Sequence, residues 1–251
     1  MKIPLATGLA SALLAVSAAA APTPAARQAK PAAFFLAGDS TTAVNGGWGD
    51  GFVALLRNGA IGQNKGHSGA TTASFVAGGD WASVLDLVES NKAGGYDCYV
   101  TIQFGHNDQK STSGISISQF QTNLENMARD VERAGGTPVI LTSLTRRTFT
   151  NGVLDDSLAD VSEAARKAAA AAGVALLDLN AASRAYVQAI GQQAADRYNL
   201  ADGDRTHLNP HGEAVFARIV ADLVVGWKQE LSRYITPDPE MSDKIARGEY
   251  V

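Results

Sequence analysis

From residue 32 onward, short apolar runs alternate with longer segments of helical period, and this alternation constrains the fold more than any other feature. A strand that is apolar at nearly every position, rather than every second one, has to be covered on both faces. That is the situation of a parallel sheet packed between helices. Strands are predicted at residues 32–37, 60–63, 96–104, 138–144 and 174–179, and helices at 48–57, 81–90, 118–134 and 156–172, with a last helix beginning after Pro210. In 118–134, Phe120, Leu124, Met127 and Val131 recur every three or four positions, with Ser118 placed to cap the start and Gly135-Gly136 to stop the end. The sequence therefore predicts an α/β fold, a three-layer α/β/α sandwich on a mainly five-stranded parallel sheet. No internal repeat or linker interrupts it, so residues 32–251 read as one domain.

The first 31 residues read differently. Residues 1–21 carry Lys2, an apolar stretch from Leu9 to Val16 and then small residues from Ser17 to Ala21, the layout of a secretory signal peptide. Residues 22–31 are rich in alanine and proline and are expected to form a flexible leader. Export is therefore expected, with no Asn-x-Ser/Thr acceptor for N-glycosylation along the way. No segment approaches the roughly 18 to 20 apolar residues that a membrane crossing requires, so no membrane partner is expected. Lysines and arginines number 21 against 25 acidic residues, a net charge of -4, so no basic surface for phosphate backbones is implied and no nucleic-acid partner is expected. The single cysteine, Cys98, lies in an apolar run with no electropositive neighbour and reads as a small buried hydrophobe. A monomer is expected.

In sheets of this kind ligands bind beyond the carboxyl ends of the strands, so the residues just after each strand are the first candidates for chemistry. The first strand runs into Gly38-Asp39-Ser40-Thr41-Thr42, which presents a serine hydroxyl at a strand end. Alone, such a tripeptide is common in turns. Near the far end, Asp204 and His207 stand three apart just before a helix, so that the carboxylate can orient one imidazole nitrogen while the other accepts a serine proton. Two further loops, at Asn64 to Gly69 and Gly105 to Asp108, offer backbone N–H groups and the Asn107 amide to a developing oxyanion.

Other candidates have plainer readings. Gly66-His67-Ser68-Gly69-Ala70 fails the Gly-x-Ser-x-Gly pattern at Ala70, so Ser68 reads as a loop residue. His207 and His211 are four apart, but Pro210 intervenes and no glutamate follows the first histidine, so no metal site is expected. His67 and His106 read by default as loop hydrogen-bonding residues, either of which could line a cleft. Asp155 and Asp156 are expected to interact with the start of the helix that follows them. Trp48, Trp81 and Trp227 read as core or groove residues, with Trp48 near enough to Ser40 in sequence to stack against a sugar.

Taken together, Gly38-Asp39-Ser40, Gly69, Gly105-His106-Asn107-Asp108 and Asp204-Arg205-Thr206-His207 resemble the four ordered blocks of the SGNH, or GDSL-type, hydrolases, across nearly the whole chain after the leader. Within that superfamily, Gly38 to Thr42, Asn45-Gly46-Gly47-Trp48-Gly49 and Phe104 to Asp108 resemble secreted rhamnogalacturonan acetylesterases. The resemblance implies a flavodoxin-like fold, with Ser40 as nucleophile, His207 as general base and acid, and Asp204 as the orienting carboxylate. It also implies an oxyanion hole from the Ser40 and Gly69 N–H groups and the Asn107 side chain, with Gly66 the neighbouring alternative to Gly69. No cofactor is implied, and an acetylated polysaccharide is the expected substrate. Two other readings remain open: a GDSL-type lipase or aryl esterase, and a non-catalytic secreted carbohydrate-binding protein.

Overall fold

The computed structural model describes Met1 and residues 30–251. Apart from Met1, the expected signal, and the leader up to residue 29, lie outside the described residues. The strands are β1 (Ala32–Gly38), β2 (Ile61–Asn64), β3 (Asp97–Gln103), β4 (Thr137–Leu141), the short pair β5 (Phe149–Thr150) and β6 (Val153–Leu154), and β7 (Ala175–Leu177). Five of them form one sheet in the order β2-β1-β3-β4-β7, every neighbouring pair parallel. β5 and β6 make a separate antiparallel hairpin.

The helices are α1 (Gly49–Ala54), α2 (Thr72–Ala77), α3 (Asp80–Ala93), α4 (Ile117–Arg133), α5 (Ala159–Ala172), α6 (Leu179–Ala195), α7 (Pro210–Trp227) and α8 (Pro239–Ala246). They cover both faces of the sheet, and β1 shows how. All seven of its residues are buried, and successive side chains enter different cores. Phe34 and Leu36 pack with Phe52, Tyr186, Phe216 and Val220, on the side of α1, α6 and α7. Phe35 and Ala37 pack with Phe75, Val84, Leu124 and Val161, on the side of α2 to α5. This is the expected three-layer sandwich.

Several boundaries differ from expectation. α1 stops at Ala54, not Arg57, and β4 stops at Leu141, leaving residues 142–148 as irregular chain that is buried except at the half-buried Arg146 and Thr148. The cap of α4 is Ser116, whose hydroxyl accepts from the Gln119 N–H at 3.1 Å, so Ser118 is already inside the helix. Helices α2, α6 and α8 were not expected from the sequence, and α7 is not the last helix. Asp156 pairs with Arg184, and Asp155 accepts from the Thr150 hydroxyl at 3.2 Å; neither caps α5, which begins without a side-chain cap. Trp48 is fully buried and donates from Nε1 to Gln103 Oε1 at 2.7 Å, so it cannot stack against a sugar. Cys98 is buried, as expected.

Ser116→Ala removes the acceptor for a first-turn N–H and is expected to cost about 1 kcal/mol. Ser118→Ala should stay within about 0.5 kcal/mol of the wild type. Urea unfolding of the two variants measures the difference, and equal losses would contradict the assignment of the cap.

Candidate active site

The chains after β1, β2 and β3 and the loop ahead of α7 meet at a cleft. Behind Ser40, the Asp39 carboxylate accepts from the Thr41 N–H at 2.9 Å and from the Thr41 hydroxyl at 2.8 Å. The Asp39 carbonyl accepts from the N–H groups of Thr42 and Ala43. These bonds wind the chain into a tight turn with Ser40 at its outer side. Gly47 lets the next segment lie directly on that turn, because a Cβ there would fall 2.3 Å from the Thr42 carbonyl carbon.

His207 arrives from the other end of the chain, just ahead of α7. That helix begins where Asn209 accepts from the Gly212 N–H at 2.9 Å and Pro210 occupies the first turn. His207 Nε2 lies 2.9 Å from Ser40 Oγ, and His207 Nδ1 lies 2.9 Å from Asp204 Oδ2. Asp204 Oδ1 accepts from the backbone N–H groups of Thr206 and His207 at 3.1 and 3.0 Å. Burial alone would raise the Asp204 carboxyl. The N–H and imidazole of His207 and the N–H of Thr206 outweigh it and hold the carboxyl below its ordinary value. An ionised Asp204 fixes the proton on Nδ1 and leaves Nε2 free to accept from the Ser40 hydroxyl.

A cleft of about 610 Å³ opens over Ser40 and His207, lined also by Gly69 and Asn107. Gly69 has φ +84°, a left-handed conformation suited to glycine. Among the described residues, neither the Ser40 N–H nor the Gly69 N–H donates a hydrogen bond. Asn107 donates one amide hydrogen to the Ala70 carbonyl at 2.9 Å and has a second available. Gly66 differs: its N–H donates to Asn64 Oδ1 at 3.0 Å, and a Cβ there would fall 2.5 Å from the Ala43 nitrogen. Of the expected oxyanion donors, those of Ser40, Gly69 and Asn107 are thus free and that of Gly66 is not. Together with the activated hydroxyl, this arrangement can form and break an acyl bond through a tetrahedral oxyanion.

Residues 36–215, which contain all of these groups, match the GDSL-like Lipase/Acylhydrolase family. The chain belongs to this family. It is 32% identical over 213 residues to rhamnogalacturonan acetylesterase RhgT of Bacillus subtilis, covering 77% of this chain and 89% of that protein. It is 26% identical over 200 residues to the probable rhamnogalacturonan acetylesterase YesY of the same organism, covering 74% of this chain and 89% of that one. The crystal structure of Bacillus subtilis protein YXIM superposes with a TM-score of 0.67 at 24% identity, over 81% of this chain and 57% of that longer one, and shares the fold. The protein is a carboxylic ester hydrolase related to rhamnogalacturonan acetylesterases.

Two buried residues of this esterase escaped the sequence reading. Gln103 donates to Thr41 Oγ1 at 2.6 Å and accepts from Trp48, tying the Ser40 turn to the end of β3. Arg147, fully buried, donates to the carbonyls of Asp204 and His207 at 3.3 and 2.6 Å and to Asn199 Oδ1 at 2.9 Å. Its own N–H donates to the Arg205 carbonyl at 2.9 Å. Burial pulls its guanidinium down to about 10, against the opposing pull of Asp204 and Asp196, so it stays charged at neutral pH. A buried side chain from the irregular segment after β4 thus clamps the Asp204 to His207 loop.

The remaining histidines are also placed. His67 is exposed, with Nδ1 2.6 Å from Asp80 Oδ2. His211 packs edge-on to Tyr198 and lies 3.4 Å from the Tyr250 hydroxyl. His106 lines the cleft, almost wholly buried, with Nδ1 3.6 Å from Asp39 Oδ2. Burial works against ionisation of Asp39, but His106 and the two Thr41 bonds keep that carboxyl below its ordinary value.

Asp204 titrates below its ordinary value near 3.8 in the folded chain, so its ionised form adds stability above that pH. That stability is lost as pH falls through the lower folded value. Asp204→Asn should therefore unfold at lower urea than the wild type near neutral pH, and the gap should close as the pH drops below about 3.9. A gap that stays constant down to about pH 3 would contradict the arrangement.

Proposed function

We propose that the protein is an exported serine esterase that removes acetyl groups from plant cell-wall polysaccharide, pectic rhamnogalacturonan first, through an acyl-enzyme. The observation that carries the reading is the unbroken line from Asp204 through His207 to Ser40, with both contacts at 2.9 Å. The relationship to rhamnogalacturonan acetylesterases supports the acetyl and pectic parts of it. Export follows from the signal-like residues 1–21 and suits a polymeric substrate that cannot enter a cell.

In the first half-reaction, Ser40 Oγ bonds to the acetyl carbonyl carbon as its proton passes to His207 Nε2. The carbonyl oxygen takes the negative charge and is met by the N–H groups of Ser40 and Gly69 and the Asn107 amide, each worth about 2.7–4 kcal/mol in the transition state. His207 then returns the proton to the sugar oxygen as the ester C–O bond breaks, leaving acetyl-Ser40. Water attacks this ester with His207 again as base, acetate leaves and Ser40 regains its proton. Asp204 stays ionised throughout and stabilises the imidazolium.

The deciding experiment is acetate release from a panel of acetylated rhamnogalacturonan, acetylated xylan and 4-nitrophenyl esters of increasing chain length. Fastest release from rhamnogalacturonan, with a sharp fall beyond acetate among the simple esters, is the expected result. A preference for long chains would make the protein a lipase or aryl esterase instead, and a preference for xylan would replace the substrate.

Ser40→Ala should lower kcat/KM on every ester by about 10³-fold or more while leaving the unfolding free energy from urea titration within about 0.5 kcal/mol of wild type. Substantial turnover by the variant would remove Ser40 as the nucleophile. Labelling of the wild type at Ser40 by a fluorophosphonate separates this reading from a non-catalytic binding protein, whose unactivated hydroxyl would not react.

A further inference from the structure

The cleft has a second wall that the acyl-transfer chemistry does not use. Arg146, from the chain after β4, and Lys110 and His106, from the chain after β3, line it alongside Asn107. Among the described residues, neither Arg146 nor Lys110 lies within 4.0 Å of a carboxylate. Among the described residues, most other arginines of this net-acidic chain are paired, as Arg166 is with Asp178 and Arg205 with Asp196. Arg146 is half-buried, and burial lowers its pKa, with only the Coulombic pull of Asp39 opposing. A half-buried cation without a counterion is costly unless a ligand supplies one.

The guanidinium is also oriented. Nη1 is anchored, 3.3 Å from Ser157 Oγ and, with the Gln109 amide turned to satisfy both its ends, 3.0 Å from the Gln109 oxygen. Nε and Nη2 have no partner among the described residues, and these two N–H groups form the parallel edge that matches the two oxygens of a carboxylate. Lys110 is held by Asn107 Oδ1 at 2.7 Å, which uses one of its three donors. Neither ring nitrogen of His106, at 3% side-chain exposure, has a hydrogen-bond partner.

We infer that this wall is a carboxylate subsite that takes a uronate carboxylate of the polysaccharide, with the Nε–Nη2 edge of Arg146 as its main contact. The inference rests on the proposed reading of the protein as a polysaccharide deacetylase, and it adds the reason an anionic pectic chain would be preferred to a neutral one. Lys110 adds a second positive charge. His106 offers a polar contact at the floor of the cleft.

The test is competition against 4-nitrophenyl acetate hydrolysis by digalacturonate, by neutral galactobiose and by sodium acetate. Digalacturonate is expected to inhibit on the order of tenfold more tightly than galactobiose, and the difference should shrink as salt rises past about 0.1 M. Arg146→Gln should remove most of that difference, and Arg146→Lys, which keeps the charge without the fork, should restore part of it. Equal inhibition by the two disaccharides in the wild type, a measurement that needs no variant, would overturn the subsite. So would an Arg146-dependent effect of acetate as large as that of digalacturonate, which would make the wall a product site. Deacetylation of rhamnogalacturonan without digalacturonate inhibition would sink the subsite alone; inhibition without deacetylation would sink the substrate assignment alone.

Discussion

One contact of 2.9 Å, between the Ser40 hydroxyl and His207 Nε2, joins residues 167 positions apart, and the architecture can be read as the means of holding it. Neither partner could hold its position from its own segment. Ser40 is fixed because β1 is buried on both faces and Asp39 gathers the turn after it. His207 is fixed because its loop is pinned from behind by Arg147 and from ahead by the capped start of α7. The Leu208 N–H closes the junction by donating to the Gly46 carbonyl at 2.8 Å. Each support alone is an ordinary hydrogen bond worth about 1 kcal/mol, and more where a charge takes part. Their convergence on two short loops is what restricts the imidazole to one place.

How much of this was legible depends on whether the signal is local. β1 and β3 read clearly because burial on both faces leaves an apolar run with little else in it. α4 read clearly because one face is buried and the period shows. β2 is an edge strand whose residues are exposed or half-buried, so its run is short and mixed. α2 has six residues, too few for a period, and α6 is interrupted at Gly191, whose backbone is not helical. Ser116 and Ser118 flank Ile117 and look alike in sequence. The choice between them depends on where the backbone enters helical dihedrals, and composition does not carry that information. The β5–β6 hairpin did have a signal, since Asn151 and Gly152 both have positive φ as a tight hairpin turn requires, but its strands are two residues long and leave no alternation to read.

The candidate site divides the same way. Ser40, Gly69, Asn107, Asp204 and His207 were legible because short blocks, after strands or just ahead of the helix at Pro210, carry them. Gln103 and Arg147 were not, because their roles are defined by partners roughly 60 residues away. Trp48 was misjudged for a related reason. Sequence proximity to Ser40 placed it near the site, but its ring points inward, and only the bond to Gln103 shows which way.

Arg146 and Arg147 form the sharpest case. They are chemically identical neighbours on an irregular stretch, yet Arg147 is fully buried and Arg146 half-buried. One goes inward to the carbonyls of the Asp204 to His207 loop, and the other lines the cleft. Net charge predicts neither outcome. The chain is acidic overall, yet neither Arg146 nor Lys110 lies within 4.0 Å of a carboxylate, while Asp204 is paired with His207 and Asp39 is buried beneath the cleft, where it acts on Arg146 only through its Coulombic pull. The field a ligand meets is set by which charges are already paired, and within a Debye length of about 8–10 Å those local groups outweigh an excess of four negative charges spread over the whole surface.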